Sequence, residues 1–332
     1  ENSSSTSTPV PARFVKIDTD DFNLDARPEV RLTSDRLVAY LSPSKGGSLY
    51  ELDVRSIRHN LLATLDRRPE IYHEAIIRAA QGHSEGGLNA ASIQGDIRCK
   101  QENLHEKIQY DTWTRKALLD HFLRPNLSLD EFRGGHGHVS DFHTGVYQSL
   151  LRRSRERVEA SLARRGEFAN REIQVTKTVS MDLSQGGLLE IRYVLEDLPP
   201  GLPVHFAVEL NLAGLPAGAS DRYYYDTNGH RLGQLESVLE QWDCERIGLV
   251  DEWLGIDVSL DISKPSGLWT FPIESVSQSE GGFEMVHQAC CVVPHWQFNA
   301  PADGRWTVDL KLAIDTSAAQ ARQLQETAAA RD

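Results

Sequence analysis

The stretch LWTFPIESVSQSEGGFEMVHQACCVVPHW, residues 268–296, holds two apolar segments separated by a polar patch and a Gly-Gly pair. The first segment ends at Pro272, and the second alternates apolar and polar residues, which is typical of a β-strand. The pattern predicts two strands joined by a polar loop. Beside Trp269 and Trp296, such a loop suits either a sugar-binding surface or an ordinary connection of a β-sandwich. The polar patch consists of Ser275, Ser277, Gln278, Ser279 and Glu280.

Two-residue alternation recurs along the rest of the chain. It is clear at residues 173–181, 189–195, 206–212 and 306–314. Each of these segments has apolar residues at every second position, as in a strand with one buried face. The segments are separated by turn motifs rich in Asp, Gly and Pro. These motifs lie at residues 197–201, 226–229, 264–267 and 303–304.

Helical patterns are few. Residues 149–165 are rich in Arg, Glu, Ala and Leu, but their alternation favours two further strands. Residues 56–80 predict a helix interrupted at Pro69, because Ile57, Leu61 and Leu65 have helical spacing. Many strands with few short helices predict an all-β fold in the form of a large sandwich.

Domain organisation follows from composition. Residues 1–12 are rich in Ser, Thr and Pro and are typical of a disordered linker. Residues 13–316 carry the strand patterns and are expected to form one β-domain. Residues 317–332 predict a flexible or helical tail. The chain does not begin with Met and shows no signal-peptide pattern, which suggests a fragment or a processed form.

Charge and cysteine content narrow the functional classes. The 332-residue chain has a formal net charge of −13, which disfavours binding to nucleic acid or to an anionic membrane. Its four cysteines form no C-x-x-C motif. Adjacent Cys290 and Cys291 are expected to be buried free thiols. Together these observations predict a cytoplasmic protein in a reducing compartment.

Several segments, in this order, resemble one known family. They are GGSLYELDVRSIRHNLLATLDRRPEIYHEAI (46–76), RKALLDHFL (115–123), KTVS (177–180), HFAVELNL (205–212) and the start of the stretch at residue 268. Together they resemble the C-terminal domain of glycoside hydrolase family 57 enzymes of the 4-α-glucanotransferase and α-amylase type. The resemblance extends over roughly residues 14–315.

This resemblance implies a galactose-mutarotase-like supersandwich and a carbohydrate substrate. It also implies that the catalytic carboxylates lie on a preceding barrel, the partner of this domain. The chain has no strand and helix alternation of barrel type, so no position here corresponds to those residues. The implied role is support of the barrel, with binding of α-1,4-glucan as a further expectation.

Candidate sugar contacts come from polar residues next to strands and from tryptophans. Glu209 and Asn211 share one face of a predicted strand, opposite Phe206 and Val208, where they contact sugar, bond to nearby loops or, least expected, act in catalysis. Trp113 and Trp296 have polar neighbours and are the candidates for stacking on a sugar ring. The remaining candidates are Glu280, Glu284 and Gln288.

Two segments carry possible metal ligands. Asp21, Asn23, Asp25 and Glu29 place oxygen atoms at positions 1, 3, 5 and 9 of a calcium-loop pattern. Position 6 is not Gly and position 12 is not Glu, so the alternatives are a short Ca²⁺ loop and an acidic surface turn. The Gly-rich segment 134–143 contains three histidines and one Asp, and a loop is favoured there over a zinc site.

Two other functional classes remain open at this level. One is a free-standing mutarotase-like or lyase-like sugar enzyme, which requires an acid–base pair on the concave sheet face. The other is a purely structural interaction domain. The neighbours Asp120 and His121 do not form such a pair on a strand, because they point to opposite faces.

Overall fold

The computed structural model describes residues 13–81 and 99–329. The predicted linker, residues 1–12, lies outside the described residues. Within them the chain forms seventeen strands: β1 (Val15–Asp20), β2 (Glu29–Ser34), β3 (Leu37–Ser42), β4 (Ser48–Val54), β5 (His59–Asn60), β6 (Ala117–Phe122), β7 (Gln148–Arg153), β8 (Arg157–Phe168), β9 (Arg171–Asp182), β10 (Leu188–Glu196), β11 (Pro203–Ala213), β12 (Arg222–Tyr225), β13 (Arg231–Gln234), β14 (Leu239–Asp251), β15 (Ile256–Ser279), β16 (Gly282–Asn299) and β17 (Trp306–Asp315).

Helices are short and few, because strands take up most of the described residues. The described residues contain α1 (Ile71–Ala80), α2 (Leu129–Arg133), α3 (Ser317–Ala329) and one 3₁₀ turn (Leu104–Lys107). Helix α3 falls on the predicted tail. None of the described helices is long and apolar enough to cross a membrane. The all-β prediction is confirmed.

The strands form two layers that share one long strand. In pairing order, the first layer is β7-β8-β9-β10-β17 and the second is β1-β2-β3-β4-β6-β11-β16. Strand β15 joins them, because residues 257–262 pair with β17 and residues 267–279 pair with β16. This strand therefore passes from one layer to the other, which is the architecture of a supersandwich.

The turn predicted at residues 264–267 is wrong. These residues lie inside β15, at the point where it changes partner. Pro265 has no N–H to donate to a neighbouring strand, so it is tolerated where pairing is interrupted. The polar patch of the opening stretch is also strand rather than loop. It continues β15 to Ser279, and only Glu280 and Gly281 form the turn to β16.

The main core lies between the two layers. Strands β1 and β2 pack across β8 and β9. The alternating apolar residues of the sequence point into this core, so the predicted strand faces are confirmed. Fully buried examples from four of the strands are Leu32, Val179, Leu189 and Phe206.

The helix predicted at residues 56–80 is wrong over its first half. Residues 59–60 form β5, and α1 begins only at Ile71, after Pro69. Leu61 and Leu62 are buried in the main core, whereas Leu65 is 66% exposed. Their apparent helical spacing thus reflects burial of an irregular segment that follows a short hairpin. Tertiary packing overrides local propensity here.

A second, smaller core covers the outer face of the second layer. It contains Trp269, Phe271 and Val293 from the sheet, and Leu129 and Phe132 from α2. Helix α2 begins with a capping box, in which Ser128 and Glu131 bond each other's backbone N–H groups. This helix packs on the same outer face as the candidate site, where Phe132 contacts His121.

Candidate functional site

The candidate site is formed by the outer faces of β6 and β11. Alternation directs Phe206, Val208 and Leu210 into the main core and Glu209 and Asn211 away from it. Asn211 Nδ2 donates to Glu209 Oε1 at 2.7 Å, which confirms that the two side chains share a face. On β6, Asp120 and His121 point to opposite faces, as predicted. His121 therefore reaches Glu209, while Asp120 enters the core.

Glu209 is fully buried and accepts hydrogen bonds from four side chains. Oε1 accepts from Arg115 Nη1 at 2.9 Å and from Asn211. Oε2 accepts from Trp113 Nε1 at 3.2 Å and lies 2.8 Å from His121 Nε2. Burial acts to raise the pKa of Glu209, but the Arg115 charge and the bonds from His121 and Asn211 hold it well below its usual range. The carboxylate is therefore a permanent anion.

Arg115 links this carboxylate to a second one. Its Nε donates to Asp111 Oδ1 at 2.8 Å, and its guanidinium lies 4.6 Å from the Trp113 ring centroid. Asp111 in turn pairs with Arg67, whose Nη2 lies 2.6 Å from Oδ1. Burial opposes the charge on Arg115, yet Glu209 and Asp111 raise its pKa. The result is a buried chain of alternating charges that runs from Glu209 to Arg67.

Three histidines gather beside Glu209. The ring centroids of His121, His138 and His143 lie 4.8 to 5.1 Å apart. One ring nitrogen of each histidine has no hydrogen-bond partner among the described residues. Burial and the nearby His121 lower the pKa of His138 to about 3 and that of His143 to about 4. Both rings are therefore neutral at physiological pH.

The segment that carries His138 and His143 forms a loop, as expected for its glycine content. Within residues 13–81 and 99–329, no three His, Cys, Asp or Glu side chains are arranged to hold a metal ion. The neighbouring Asp141 is instead bound by Arg164, with both carboxylate oxygens 2.7 Å from Nη2. The loop thus places the rings of His138 and His143 against Trp113 and His121, two of the side chains that hold Glu209.

A second buried ion pair lies on the opposite face of β6. Lys177 Nζ lies 2.8 Å from Asp120 Oδ2, and both side chains are fully buried between the layers. The hydroxyls of Tyr147 and Tyr193 donate to Asp120 at 2.6 and 2.8 Å. Burial lowers the pKa of Lys177, and Asp120 opposes that shift. Asp120 and Lys177 point into the core, where strand alternation alone predicts apolar residues.

The remaining polar candidates do not converge on Glu209. Glu284 follows the β15–β16 turn and pairs with Lys100 at 2.8 Å, and Glu280 is an exposed residue of that turn. Cys291 on β16 pairs with Asn211, so Glu284, seven residues earlier, is about 23 Å away along the strand. Gln288 lies between them and donates to Ser275 Oγ at 2.8 Å.

The tryptophan candidates are also buried. Trp296 is 6% exposed and packs between Phe206 and Trp306 in the main core, so it presents no ring to a sugar. Trp113 is 8% exposed and holds Glu209. The exposed indoles are instead Trp242 and Trp253, at 62% and 70%. Trp242 precedes Asp243, whose φ of 54° lies in a break of the pairing between β14 and β15, a feature not visible in the sequence.

The predicted calcium ligands form a loop closed by its own hydrogen bonds. The backbone N–H groups of Asp25 and Ala26 donate to Asp21, and Asn23 Nδ2 donates to Glu29 Oε1 at 2.9 Å. Lys45 Nζ lies 2.9 Å from Asp25 Oδ2. Calcium binding stays a prediction, and it would require the ion to displace these donors.

Comparison with known proteins places the chain in a family. The profile described as the C-terminal domain of α-amylase/4-α-glucanotransferase matches residues 21–310. The chain belongs to this family. The resemblance inferred from the sequence is thereby confirmed.

Full-length relatives are much longer than this chain. A 4-α-glucanotransferase of Thermococcus kodakarensis is 30% identical over 273 residues, which cover 81% of this chain and 37% of the relative. An α-amylase of Pyrococcus abyssi is 25% identical over 294 residues, covering 87% of this chain and 40% of the relative. The chain spans about two fifths of the length of these relatives.

Solved structures confirm the fold. The 4-α-glucanotransferase of Thermococcus litoralis superposes with a TM-score of 0.66 at 22% identity, covering 90% of this chain and 40% of that one. A galactose mutarotase-like protein of Clostridium acetobutylicum superposes with a TM-score of 0.53 at 10% identity, covering 91% and 99%. The supersandwich prediction is confirmed.

Proposed function

We propose that this chain is the non-catalytic C-terminal domain of an α-1,4-glucan-active enzyme of the 4-α-glucanotransferase or α-amylase type. In that enzyme it supports an N-terminal catalytic barrel and binds the glucan. The family match and the two-fifths coverage of longer relatives support this role. The observation that carries it is the state of Glu209, the buried carboxylate on the outer face of β11.

Glu209 is unsuited to catalysis in three respects. All of its hydrogen-bonding capacity is directed at Arg115, Trp113, His121 and Asn211. Its side chain is fully buried, and its lowered pKa makes it a poor proton acceptor. Glycoside cleavage also needs a second carboxyl group facing the same bond. The other carboxylate of the charge chain, Asp111, is held by Arg67 and Arg115 instead.

A second candidate function is a mutarotase-like sugar enzyme. One observation favours it: His121 Nε2 lies 2.8 Å from Glu209 Oε2 on a fold shared with a galactose mutarotase-like protein. An acid–base pair must reach the substrate, however, and both side chains are fully buried under the histidine loop. Fold likeness alone does not establish activity. The accessory role is therefore the better-supported proposal.

Calorimetric titration of the chain with maltoheptaose tests the glucan-binding part of the proposal. We expect saturable binding with a dissociation constant in the millimolar range or tighter, and no heat with an unrelated oligosaccharide such as cellohexaose. Absence of binding would leave a purely structural role. Polarimetry with α-glucose tests the second candidate: mutarotation above the uncatalysed rate, lost in Glu209→Gln, would establish it.

Location in the cytoplasm and absence of nucleic-acid partners stay predictions. The formal charge of −13 and the free cysteines support them. Cys290 and Cys291 are buried free thiols, as predicted. Burial raises the pKa of Cys290 to about 12, so this thiol is unreactive.

A further inference from the structure

A cleft of about 190 Å³ lies beside the stretch of residues 268–296. It runs between the segment before α1, the start of α1 and the paired ends of β15 and β16. We name it the α1–β15 cleft. Its lining is rich in hydroxyl, amide and carboxylate groups and includes Asp66, Tyr72, Gln109, Ser275, Ser277 and Gln288.

The walls of the cleft are held in place from behind. Arg67, the end of the charge chain that starts at Glu209, is 8% exposed and is bound by Asp111. On the opposite wall, Tyr72 stacks on Phe283 with ring centroids 5.5 Å apart. The hydroxyl of Tyr72 donates to the carbonyl oxygen of Val276 at 3.2 Å. Rigid walls of this kind lower the entropic cost of binding a ligand.

Two glutamines offer complementary hydrogen-bonding groups. Gln109 Oε1 accepts from Arg67 Nη1 at 3.0 Å, which leaves the amide NH₂ of Gln109 to donate. Gln288 Nε2 donates to Ser275 Oγ at 2.8 Å, which leaves the carbonyl oxygen of Gln288 to accept. A sugar hydroxyl both donates and accepts, so neighbouring hydroxyls match this arrangement.

The charged groups and the apolar surface of the cleft favour a ligand with an uncharged ring. The two arginines of the cleft are already paired, since Arg67 binds Asp111 and Arg68 lies 3.5 Å from Asp66. Glu70, which also lines the cleft, is an anion that caps the start of α1. An anionic ligand would therefore find no unpaired arginine in the lining. The lining also carries exposed apolar surface from Leu65, whose side chain is 66% exposed. Such surface suits the C–H faces of a pyranose ring.

From these observations we infer that the α1–β15 cleft is a subsite for a glucose unit of an α-1,4-glucan. The inference rests on the proposed function and specifies where its glucan binds. Gln109 and Gln288 bind the hydroxyls, and Leu65 contacts the C–H face of the ring. The polar patch Ser275 to Ser279 belongs to strand β15 and not to a loop. Its Ser275 and Ser277 form part of the cleft lining.

Titration of the full chain with maltoheptaose, using glutamine-to-methionine variants, tests this site. Gln109→Met and Gln288→Met keep the side-chain length and remove the amide. Each lost hydrogen bond corresponds to about a tenfold weaker dissociation constant. Gln278→Met is the matched control, because Gln278 is exposed, lies on β15 beside the cleft residue Ser277 and is not part of the cleft lining. Thermal unfolding verifies that each variant is folded, and Ser277→Val replaces any variant that is not.

The outcomes separate the subsite from the proposed function. Weaker binding in the cleft variants with unchanged binding in Gln278→Met supports the subsite. Unchanged binding in the cleft variants overturns the subsite and leaves glucan binding intact; Trp242→Ala and Trp253→Ala then locate the site. No binding by the parent chain overturns both the subsite and the glucan-binding part of the proposed function.

Discussion

Glu209 Oε1 and Arg115 Nη1 lie 2.9 Å apart, and both side chains are almost completely excluded from solvent. A buried pair of this kind is costly to break, because the remaining charge is left uncompensated. The pair also holds the one carboxylate on the outer face of β6 and β11, so this carboxylate is not free to act as an acid or base. One contact thus contributes to stability and supports the proposed accessory role.

Glu209→Gln is expected to destabilise the chain by about 3 kcal/mol, because Arg115 and His121 lose their anionic partner in a buried environment. Urea unfolding followed by tryptophan fluorescence measures this free energy. Arg78→Met is the control, since the Arg78–Glu74 pair is exposed on α1. A Glu209→Gln variant as stable as the control would show that the network contributes little.

Lys177→Met is expected to cost about 3–5 kcal/mol, since Asp120 would remain as an unpaired anion in the core. Adding Asp120→Asn should recover part of that loss, because no buried charge is then left over. A double-mutant cycle from urea unfolding gives the coupling free energy. Strictly additive effects of the two substitutions would contradict the account of this pair.

Acidification is expected to destabilise the chain below about pH 6.5. The folded-state pKa values of His138 and His143, about 3 and 4, lie below the unfolded value of about 6.5. The unfolded chain therefore binds more protons between pH 6.5 and 4, and stability is lost as pH falls through that window. The loss at pH 5 is about 2 kcal/mol for each histidine.

Unfolding free energies at pH 7 and pH 5 test this linkage. The double variant His138→Gln/His143→Gln should lose less stability between the two pH values than the parent chain. His136→Gln, at an exposed position of the same loop, controls for the substitution itself. Equal losses in the parent chain and the double variant would show that these two rings are protonated in the folded state.

Calcium at millimolar concentration is expected to leave the melting temperature of the parent chain unchanged. Lys45 and backbone N–H groups occupy the oxygen atoms that the ion would need. Lys45→Met should strengthen any response, because Asp25 then loses its cationic partner. A clear stabilisation of the parent chain by Ca²⁺ would instead support the calcium loop predicted from the sequence.

Local patterns predicted the strands well, but not the pairing between them. Alternation alone placed Glu209 and Asn211 on one face and separated Asp120 from His121. The contact between Glu209 and His121 joins residues 88 positions apart and depends on the register of β6 against β11, which no local pattern encodes. The spacing of Trp113 and Arg115, two residues apart, was the one signal that could have added Arg115 to the site.

Errors arose where tertiary packing replaced a local preference. The Lys264-Pro265 motif resembles a turn, but β15 continues through it because the strand changes partner there. Trp296 has polar sequence neighbours, yet alternation on β16 turns its ring into the main core, where Phe206 packs against it. Burial of such a large ring outweighs the polarity of its neighbours.

The proposed role requires that the chain itself does not catalyse glucan chemistry. The direct test is prolonged incubation of the purified chain with maltoheptaose, followed by chromatographic separation of the oligosaccharides. We expect maltoheptaose to remain the only oligosaccharide, at any chain concentration that gives measurable binding. Shorter or longer products that form with the parent chain and disappear with Glu209→Gln would overturn the proposed role.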